Sequence, residues 1–348
     1  MDPLPPEENL NGGNPVSSIE EPLEALEDFV QGRNPLYNRE GVIDMKVLVT
    51  GGAGFIGSHI VDQLLEKGHQ VVVVDNLSTG EEEVLRPESS FYRLNIQDED
   101  IDEVVGEEQP DAVIHQAAQS QVTRSIEDPL ADARTNILGT IRLLESCRRH
   151  GVAKFIYASS AAIYGNPQYL PIDEQHPLSP LAPYGISKGT PEEYIQAYHR
   201  LHGLSFTILR YANVYGIRQV PHGEGAVISI FIDRLLRGLP LTIHGDGEQT
   251  RDYIYVEDVA RANVAALEAG DGETFNLGTG VNTSLNDLVQ TMEKISGRKL
   301  AVNYGPNRPG DIKYSYFNID RVKSVLNWEP TIDLETGLAR TMDFYGVL

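Results

Sequence analysis

Gly51-Gly-Ala-Gly-Phe-Ile-Gly57 stands between a short apolar run, Lys46 to Thr50, and an amphipathic stretch carrying Ile56, Ile60, Val61, Leu64 and Leu65. A strand that passes through so tight a glycine turn into a helix constrains the fold more than any other segment of the chain. Glycines at 52, 54 and 57 permit the turn itself, the approach of a ligand to the backbone, and close helix–strand packing. The helix start then offers free N–H groups and the positive end of a dipole, a setting suited to a pyrophosphate. A second apolar run, Val71 to Asp75, ends on an acidic side chain 18 residues after Gly57. Asp75 is placed to accept hydrogen bonds from ribose hydroxyls and would repel a 2′-phosphate, so the pattern predicts NAD rather than NADP as cofactor.

The same strand–helix rhythm continues. Phe91 to Asn95, Asp111 to His115, Lys154 to Ser159 and Ser205 to Tyr211 read as further strands, with helical periodicity over Leu130 to His150 and Tyr184 to Leu201. Alternating strands and helices imply parallel strands joined by helical crossovers. The expected fold is α/β: a doubly wound, Rossmann-like parallel sheet over 45–215, with a smaller mixed α/β domain over 216–348 and the chain crossing between the two. In that second part the pattern predicts helices near Val227 to Leu236, Val256 to Ala269 and Ser284 to Ser296, and strands at Leu241 to His244, Thr274 to Leu277 and Leu300 to Tyr304. Two more helices close the chain.

Residues 1–44 are of another texture. They hold ten acidic and two basic side chains among clustered Pro and Asn, and read as a solvated leader with one weak helix from Ile19 to Gln31 capped by Ser18. The whole chain carries a formal charge of −23, which argues against a nucleic-acid partner because the basic footprint for phosphates is missing. No apolar run approaches the ~18–20 residues that span a bilayer. A single cysteine, Cys147, excludes an internal disulfide and fits a reducing, cytoplasmic setting.

Tyr184 and Lys188 lie four apart at the start of a helical pattern and so share one face. Their placement, after a nucleotide-binding half and a strand ending in Ser159-Ser160, suggests a chemical role. A phenol is a poor base at neutral pH; a nearby ammonium, together with a positive nicotinamide ring, would favour phenolate. Ser160 can hydrogen-bond the same substrate hydroxyl and relay its proton.

These segments resemble a known family. Thr50-Gly-Gly-Ala-Gly-Phe-Ile-Gly57, Asp75-Asn-Leu-Ser-Thr-Gly80, His115-Gln-Ala-Ala118, Ser159-Ser-Ala-Ala-Ile-Tyr-Gly165 and Tyr184-Gly-Ile-Ser-Lys188 are similar to motifs of the extended short-chain dehydrogenase/reductases. Arg210-Tyr-Ala-Asn-Val-Tyr-Gly216, Gly245-Asp-Gly-Glu-Gln-Thr-Arg-Asp252 and Arg308-Pro-Gly-Asp311 bring the resemblance close to the UDP-glucose 4-epimerase branch. It runs from Met45 to near the C-terminus and has no counterpart for the leader.

The resemblance implies that Tyr184 removes the sugar 4-hydroxyl proton while C4 passes hydride to tightly held NAD, and that the 4-keto sugar turns over before taking the hydride back. Ser160 would partner Tyr184, and Lys188 would hold the nicotinamide ribose. Gly51, Gly54, Phe55, Ile56 and Gly57 would cradle the phosphates, with Asp75 and Asn76 at the ribose. Gln116, Ala117, Ala118 and Ser159 would line the nicotinamide side, and Asn95 with Ile96 the adenine; the family usually has Asp where Asn95 stands. For a UDP-sugar, Asn213, Arg251 and Arg308 would meet the diphosphate and Asp311 the ribose, guanidinium being suited to bidentate phosphate contact. Ser315, four after Asp311, takes the position that faces the sugar 2-substituent, where a small residue implies that N-acetylated sugars are also accepted.

Within that family, dehydratases and decarboxylases require a carboxylate after the residue equivalent to Ser160. Here Ala161 and Ala162 follow, leaving those eliminations without their acid–base group. A UDP-glucuronate 4-epimerase is the runner-up, and an NAD-binding regulator the non-enzyme alternative. His199 and His202 share a helix face without a third ligand, and no metal site is expected. The resemblance also implies a homodimer formed through the helices at Leu130 to His150 and Tyr184 to Leu201.

Overall fold

The computed structural model describes residues 44–221, 227–307 and 312–348. The expected leader helix, and Arg308 and Asp311, lie outside the described residues. Asp44–Leu348 form one compact unit.

The organising element is a seven-stranded, all-parallel sheet. Its strands in chain order are β1 (Lys46–Thr50), β2 (Gln70–Asp75), β3 (Ser90–Arg93), β4 (Ala112–His115), β5 (Lys154–Ser160), β6 (Ser205–Tyr211) and a last strand, Glu273–Leu277. From one edge to the other the order is Glu273–Leu277, β6, β5, β4, β1, β2, β3. The chain lays β2 and β3 to one side of β1 and then returns to lay β4 on the other. The carboxyl ends of β1 and β4 therefore flank the point where strand order reverses, the ligand crevice of open α/β sheets.

The strand sequences explain their place. In β2 the run Val71–Val74 is buried throughout, as β-branched residues covered on both faces should be. One cluster of buried side chains, including Leu48, Val72, Val113, Leu143, Phe155, Ile195 and Ile208, packs helices onto this sheet. A second, including Tyr215, Phe231, Ile243, Tyr253, Leu288, Leu338 and Met342, is built almost wholly from residues after Gly216.

Two features depart from the periodicity. Leu130 to His150 is one helical stretch in three pieces: Pro129–Ala133, a π-helical segment Arg134–Gly139, and Thr140–His150. The strand at Thr274 to Leu277 does not stay with its sequence neighbours. It joins the edge of the main sheet beside β6, with Phe275 opposite Leu209, so the chain crosses back after the second cluster has begun. The predicted Leu300–Tyr304 strand is Val302–Gly305, paired in parallel with Leu241–His244. No helix among the described residues is long and apolar enough to cross a membrane.

Candidate active site

The glycine turn closes at the carboxyl end of β1. Gly51 has φ +71°, and a Cβ there would come within 2.7 Å of the Ala117 backbone nitrogen; a Cβ on Gly57 would fall 2.0 Å from the Gly51 carbonyl oxygen. Both positions exclude any side chain, and they press the start of the Phe55–Glu66 helix against the turn. Gly54 is the N-cap and brings no side-chain cap to that helix, leaving its first N–H groups for an anion. The residues present thus fit the pyrophosphate of a dinucleotide.

Asp75 ends β2 beside this turn. Its carboxylate accepts from the Ala53 N–H at 3.0 Å and the Leu77 N–H at 2.8 Å. Burial pushes its pKa up, against the pull of the backbone N–H groups of Leu77, Ala53 and Asn76. Each oxygen keeps a lone pair for a ribose hydroxyl, so the side chain both pins the turn and stays available to a ligand. Asp75→Ala is accordingly expected to lower the NAD that copurifies with the protein and to cost ~1–3 kcal/mol of stability. Nucleotide content per chain and thermal unfolding check this; full nucleotide retention would leave Asp75 with the turn alone.

Thr50 Oγ1 accepts from the Ala117 N–H at 3.2 Å, holding Gln116-Ala117-Ala118 against the glycine turn. The Gln116 amide donates to Tyr211 Oη at 2.9 Å and to Asn263 Oδ1 at 3.1 Å. Asn95 folds its side chain back to accept from the Gln97 N–H at 3.1 Å, while Ile96 is buried against Gly139 of the π-helical segment. The Ser159 side chain is buried, and its hydroxyl donates to Glu192 Oε1 at 2.5 Å.

Tyr184 opens the Pro183–His202 helix at its second residue. Its N–H donates to Ser125 Oγ at 3.0 Å and its carbonyl accepts from Ser187 Oγ at 3.1 Å, which fixes the first turn. Its hydroxyl lies beside the Ser160 side chain, whose Oγ accepts from the Ala162 N–H at 3.2 Å. Burial raises the Tyr184 pKa above the ordinary phenol value; Ser160 pulls it down and the Asp132 carboxylate pushes it up. Lys188 lies one turn on, with Nζ 4.6 Å from the centre of the Tyr157 ring. Burial pulls its pKa to about 7, against the upward effect of Glu192 and then Asp132.

Beneath this pair runs a buried polar network. Arg210 donates to both oxygens of Glu192, at 3.1 and 2.6 Å, and to Tyr164 Oη at 2.8 Å, which donates in turn to Asn276 Oδ1 at 2.7 Å. Sequence reasoning quoted Arg210 only as part of a motif and passed over Glu192, Asn276, Asp132 and Asn136.

Asn213 and Arg251, expected at the diphosphate, sit on short strands. Asn213–Tyr215 pairs with Tyr253–Tyr255, and Thr250–Arg251 with Thr283–Ser284. Arg251 NH1 donates to the Thr250 and Ile312 carbonyls at 2.8 and 2.7 Å. Asp252, 2% exposed, accepts from the Thr279 and Gly280 N–H groups, from Thr279 Oγ1 and from the Phe317 N–H. It ties the strand bearing Arg251 to the extended segment that carries Ser315. Ser315 is half-buried there, between Lys313, whose carbonyl accepts from the Thr250 N–H, and Tyr316, whose carbonyl accepts from the Ile172 N–H.

Known proteins share this arrangement over nearly their whole length. The Thermotoga maritima UDP-glucose 4-epimerase solved with UDP-glucose is 46% identical, with a TM-score of 0.84, covering 86% of this chain and 98% of its own. The Thermus thermophilus UDP-glucose 4-epimerase solved with NAD is 40% identical, with a TM-score of 0.83 and coverage of 87% and 100%. A Methanobrevibacter ruminantium UDP-N-acetylglucosamine 4-epimerase, solved with UDP-N-acetylmuramic acid, is 34% identical, with a TM-score of 0.83 and coverage of 87% and 98%. The family model matches residues 47–278, so a strand-order reversal, a closed glycine turn and a Tyr–Ser pair at one crevice have a single reading: the chain belongs to the NAD dependent epimerase/dehydratase family.

Proposed function

We propose that this protein is a UDP-sugar 4-epimerase, interconverting UDP-glucose and UDP-galactose, and UDP-N-acetylglucosamine with its 4-epimer, on tightly bound NAD. The observation that carries this reading is that the Tyr184 phenol is brought beside the Ser160 side chain at the crevice, with Ala161 and Ala162 following directly and no carboxylate there. Tyr184 takes the C4 hydroxyl proton, and Ser160 passes hydrogen bonding between that hydroxyl and the phenol. Lys188 orients the cofactor ribose and places its charge one helical turn from the phenol. Bound NAD supplies the hydride acceptor and donor at C4. One tyrosine serves both directions, because the proton it removes is the proton it returns; no second acid is required. Gly51, Gly54 and Gly57 with Asp75 hold the dinucleotide. Asn213, Arg251 and Arg308 bind the UDP diphosphate, and Asp311 its ribose.

Ser315 gates the sugar. A phenol ring at this position would fill the volume an acetamido group sweeps when the 4-keto sugar rotates. Overpacking a filled site costs ~1–3 kcal/mol, about 5- to 150-fold in rate where it is felt in the transition state. Ser315→Tyr should therefore suppress turnover of UDP-N-acetylglucosamine by at least that factor and spare UDP-glucose. Equal rates on the two sugars in wild type and variant would place the gate elsewhere.

Two finer readings accompany this. Ile126, Leu130, Leu138, Ile186, Tyr194 and Leu201 are exposed apolar side chains on the helical segments between Val122 and Gly139 and on the Pro183–His202 helix. An exposed apolar surface of that kind supports a homodimer, which gel filtration reads as elution at twice the chain mass. The lone, buried Cys147 supports a cytoplasmic setting.

The function is tested by incubating the purified protein, without added NAD, with UDP-glucose, UDP-N-acetylglucosamine and UDP-glucuronate in turn and separating the products. Conversion of the first two is expected. Conversion of UDP-glucuronate alone would move the assignment to a UDP-glucuronate 4-epimerase.

A further inference from the structure

Five polar side chains form one hydrogen-bonded chain between the carboxyl ends of β1 and β4 and the first turn of the Pro183–His202 helix. They are Thr50, His115, Thr140, Asn136 and Ser187, each at most 2% exposed. The direction of every bond follows from the donors. Thr140 Oγ1 gives its single hydrogen to the Asn136 carbonyl at 2.7 Å, so toward His115 Nε2, 2.9 Å away, it can only accept. Burial, aided by the charge of Lys188, pulls the His115 pKa down to about 3 and keeps the ring neutral. With the proton on Nε2, Nδ1 accepts, and Thr50 Oγ1 donates to it at 2.7 Å. A lone pair of Thr50 Oγ1 then takes the Ala117 N–H at 3.2 Å. The ring is held in plane by Phe155 and Tyr157, whose centroids each lie 5.8 Å from its own.

The two ends of this chain belong to the two halves of the site. At one end the Ala117 nitrogen is the atom that a Cβ on Gly51 would meet at 2.7 Å, so Thr50 sets the spacing between the glycine turn and Gln116-Ala117-Ala118. At the other end Asn136 Nδ2 donates to Ser187 Oγ at 2.9 Å, and Ser187 donates to the Tyr184 carbonyl at 3.1 Å. Asn136 lies in the π-helical segment, and insertions of this kind commonly mark functional positions. Apolar side chains of similar shape would fill the same space without desolvating five polar groups. A fully satisfied polar network instead fixes one arrangement of its ends.

We infer that His115 is a positioning residue of this site: it ties the dinucleotide turn to the turn that carries Tyr184, so that bound NAD and the phenol are set in place together. This rests on the role proposed above for Tyr184. His115 touches neither sugar nor proton in this account; it acts through Thr50 on one side and through Thr140 and Asn136 on the other.

The test is made at Thr140, whose hydroxyl bonds to His115 and Asn136 and lies in neither half of the site. The NAD-loaded protein is diluted without sugar, and released NAD is trapped and followed with time. Thr140→Val keeps the shape and removes the hydroxyl, leaving His115 Nε2–H without its acceptor. NAD should leave at least ~5-fold faster, the low end of coupling between linked sites, and single-turnover epimerisation by the protein that retains NAD should slow by a similar factor. Thr140→Ser, which restores the hydroxyl, should restore both. Thr140→Ala, with a better helix former in place, asks the same question where the valine variant does not fold. Thr207→Val is the control: it removes an equally buried hydroxyl, which donates to the Gly270 carbonyl at 2.7 Å outside this chain, and should release NAD at the wild-type rate. Wild-type release from Thr140→Val or Thr140→Ala, no recovery in Thr140→Ser, or release equally hastened in Thr207→Val would overturn the inference. Release is read without sugar, so a wild-type protein inert on every UDP-sugar would refute the proposed function, while the release rates would still decide whether His115 ties the two turns.

Discussion

Replacing Tyr184 with phenylalanine will lower turnover ~10²–10⁴-fold, the ordinary cost of removing a positioned acid–base group, while the protein keeps its NAD. The phenylalanine ring preserves the shape of the first helical turn. The contacts that fix that turn, to Ser125 Oγ and from Ser187 Oγ, are made by the Tyr184 backbone and survive the change. Only the hydroxyl, beside Ser160, is lost. The separation between lost turnover and retained nucleotide is the informative part, because a merely structural tyrosine would lose both or neither. Nucleotide content after gel filtration and single-turnover rates read the two quantities independently. Near-normal turnover in the variant would remove Tyr184 from the chemistry.

Glu192→Ala is expected to destabilise the protein by ~3–5 kcal/mol, because it leaves the Arg210 guanidinium in the interior without its anion. Arg210 is 6% exposed and cannot reach water to recover the loss. The same carboxylate also accepts from Ser159 Oγ. One substitution therefore unties the ends of β5 and β6, and through Tyr164 and Asn276 the edge strand Glu273–Leu277. Glu192→Gln keeps one oxygen, which can accept from Ser159 Oγ and Arg210 Nε, and loses only the acceptor for the second guanidinium nitrogen, so it should cost less. Urea unfolding of the two variants checks the order; a loss below ~1 kcal/mol for Glu192→Ala, the range of an exposed pair, would mean that the network relaxes around the gap.

What the sequence made legible was local. The apolar run into Gly51–Gly57 and the acidic end of Val71–Asp75 specify their own strand, turn and helix, and the structure places Asp75 against that turn. Tyr184 and Lys188 were readable from their placement, four apart at the start of a helix after a nucleotide-binding half and a strand ending in Ser159-Ser160. The rest depends on distant partners. Nothing within Glu273–Leu277 says that it will pair with β6 rather than with its neighbours in sequence. The π-helical segment has no signature in a pattern of apolar residues, since a single inserted residue only shifts the register of the stripe. Asp132 and Asn136 read as solvent-facing polar positions on an amphipathic helix, yet both are buried against Gln119 and the helix carrying Tyr184. Ser159 and Ser160 looked alike in sequence. Successive residues of a strand point to opposite faces, so one hydroxyl serves Glu192 and the other Tyr184.

The central claim is that C4 of the sugar is oxidised and reduced within one closed site, with the hydrogen never released to water. Turnover of UDP-glucose in deuterium oxide, without added NAD, tests it most directly, with the product examined at C4 by NMR. The account predicts UDP-galactose carrying protium at C4 after many turnovers. Deuterium at C4 would show exchange with solvent at the reacting carbon and contradict the mechanism.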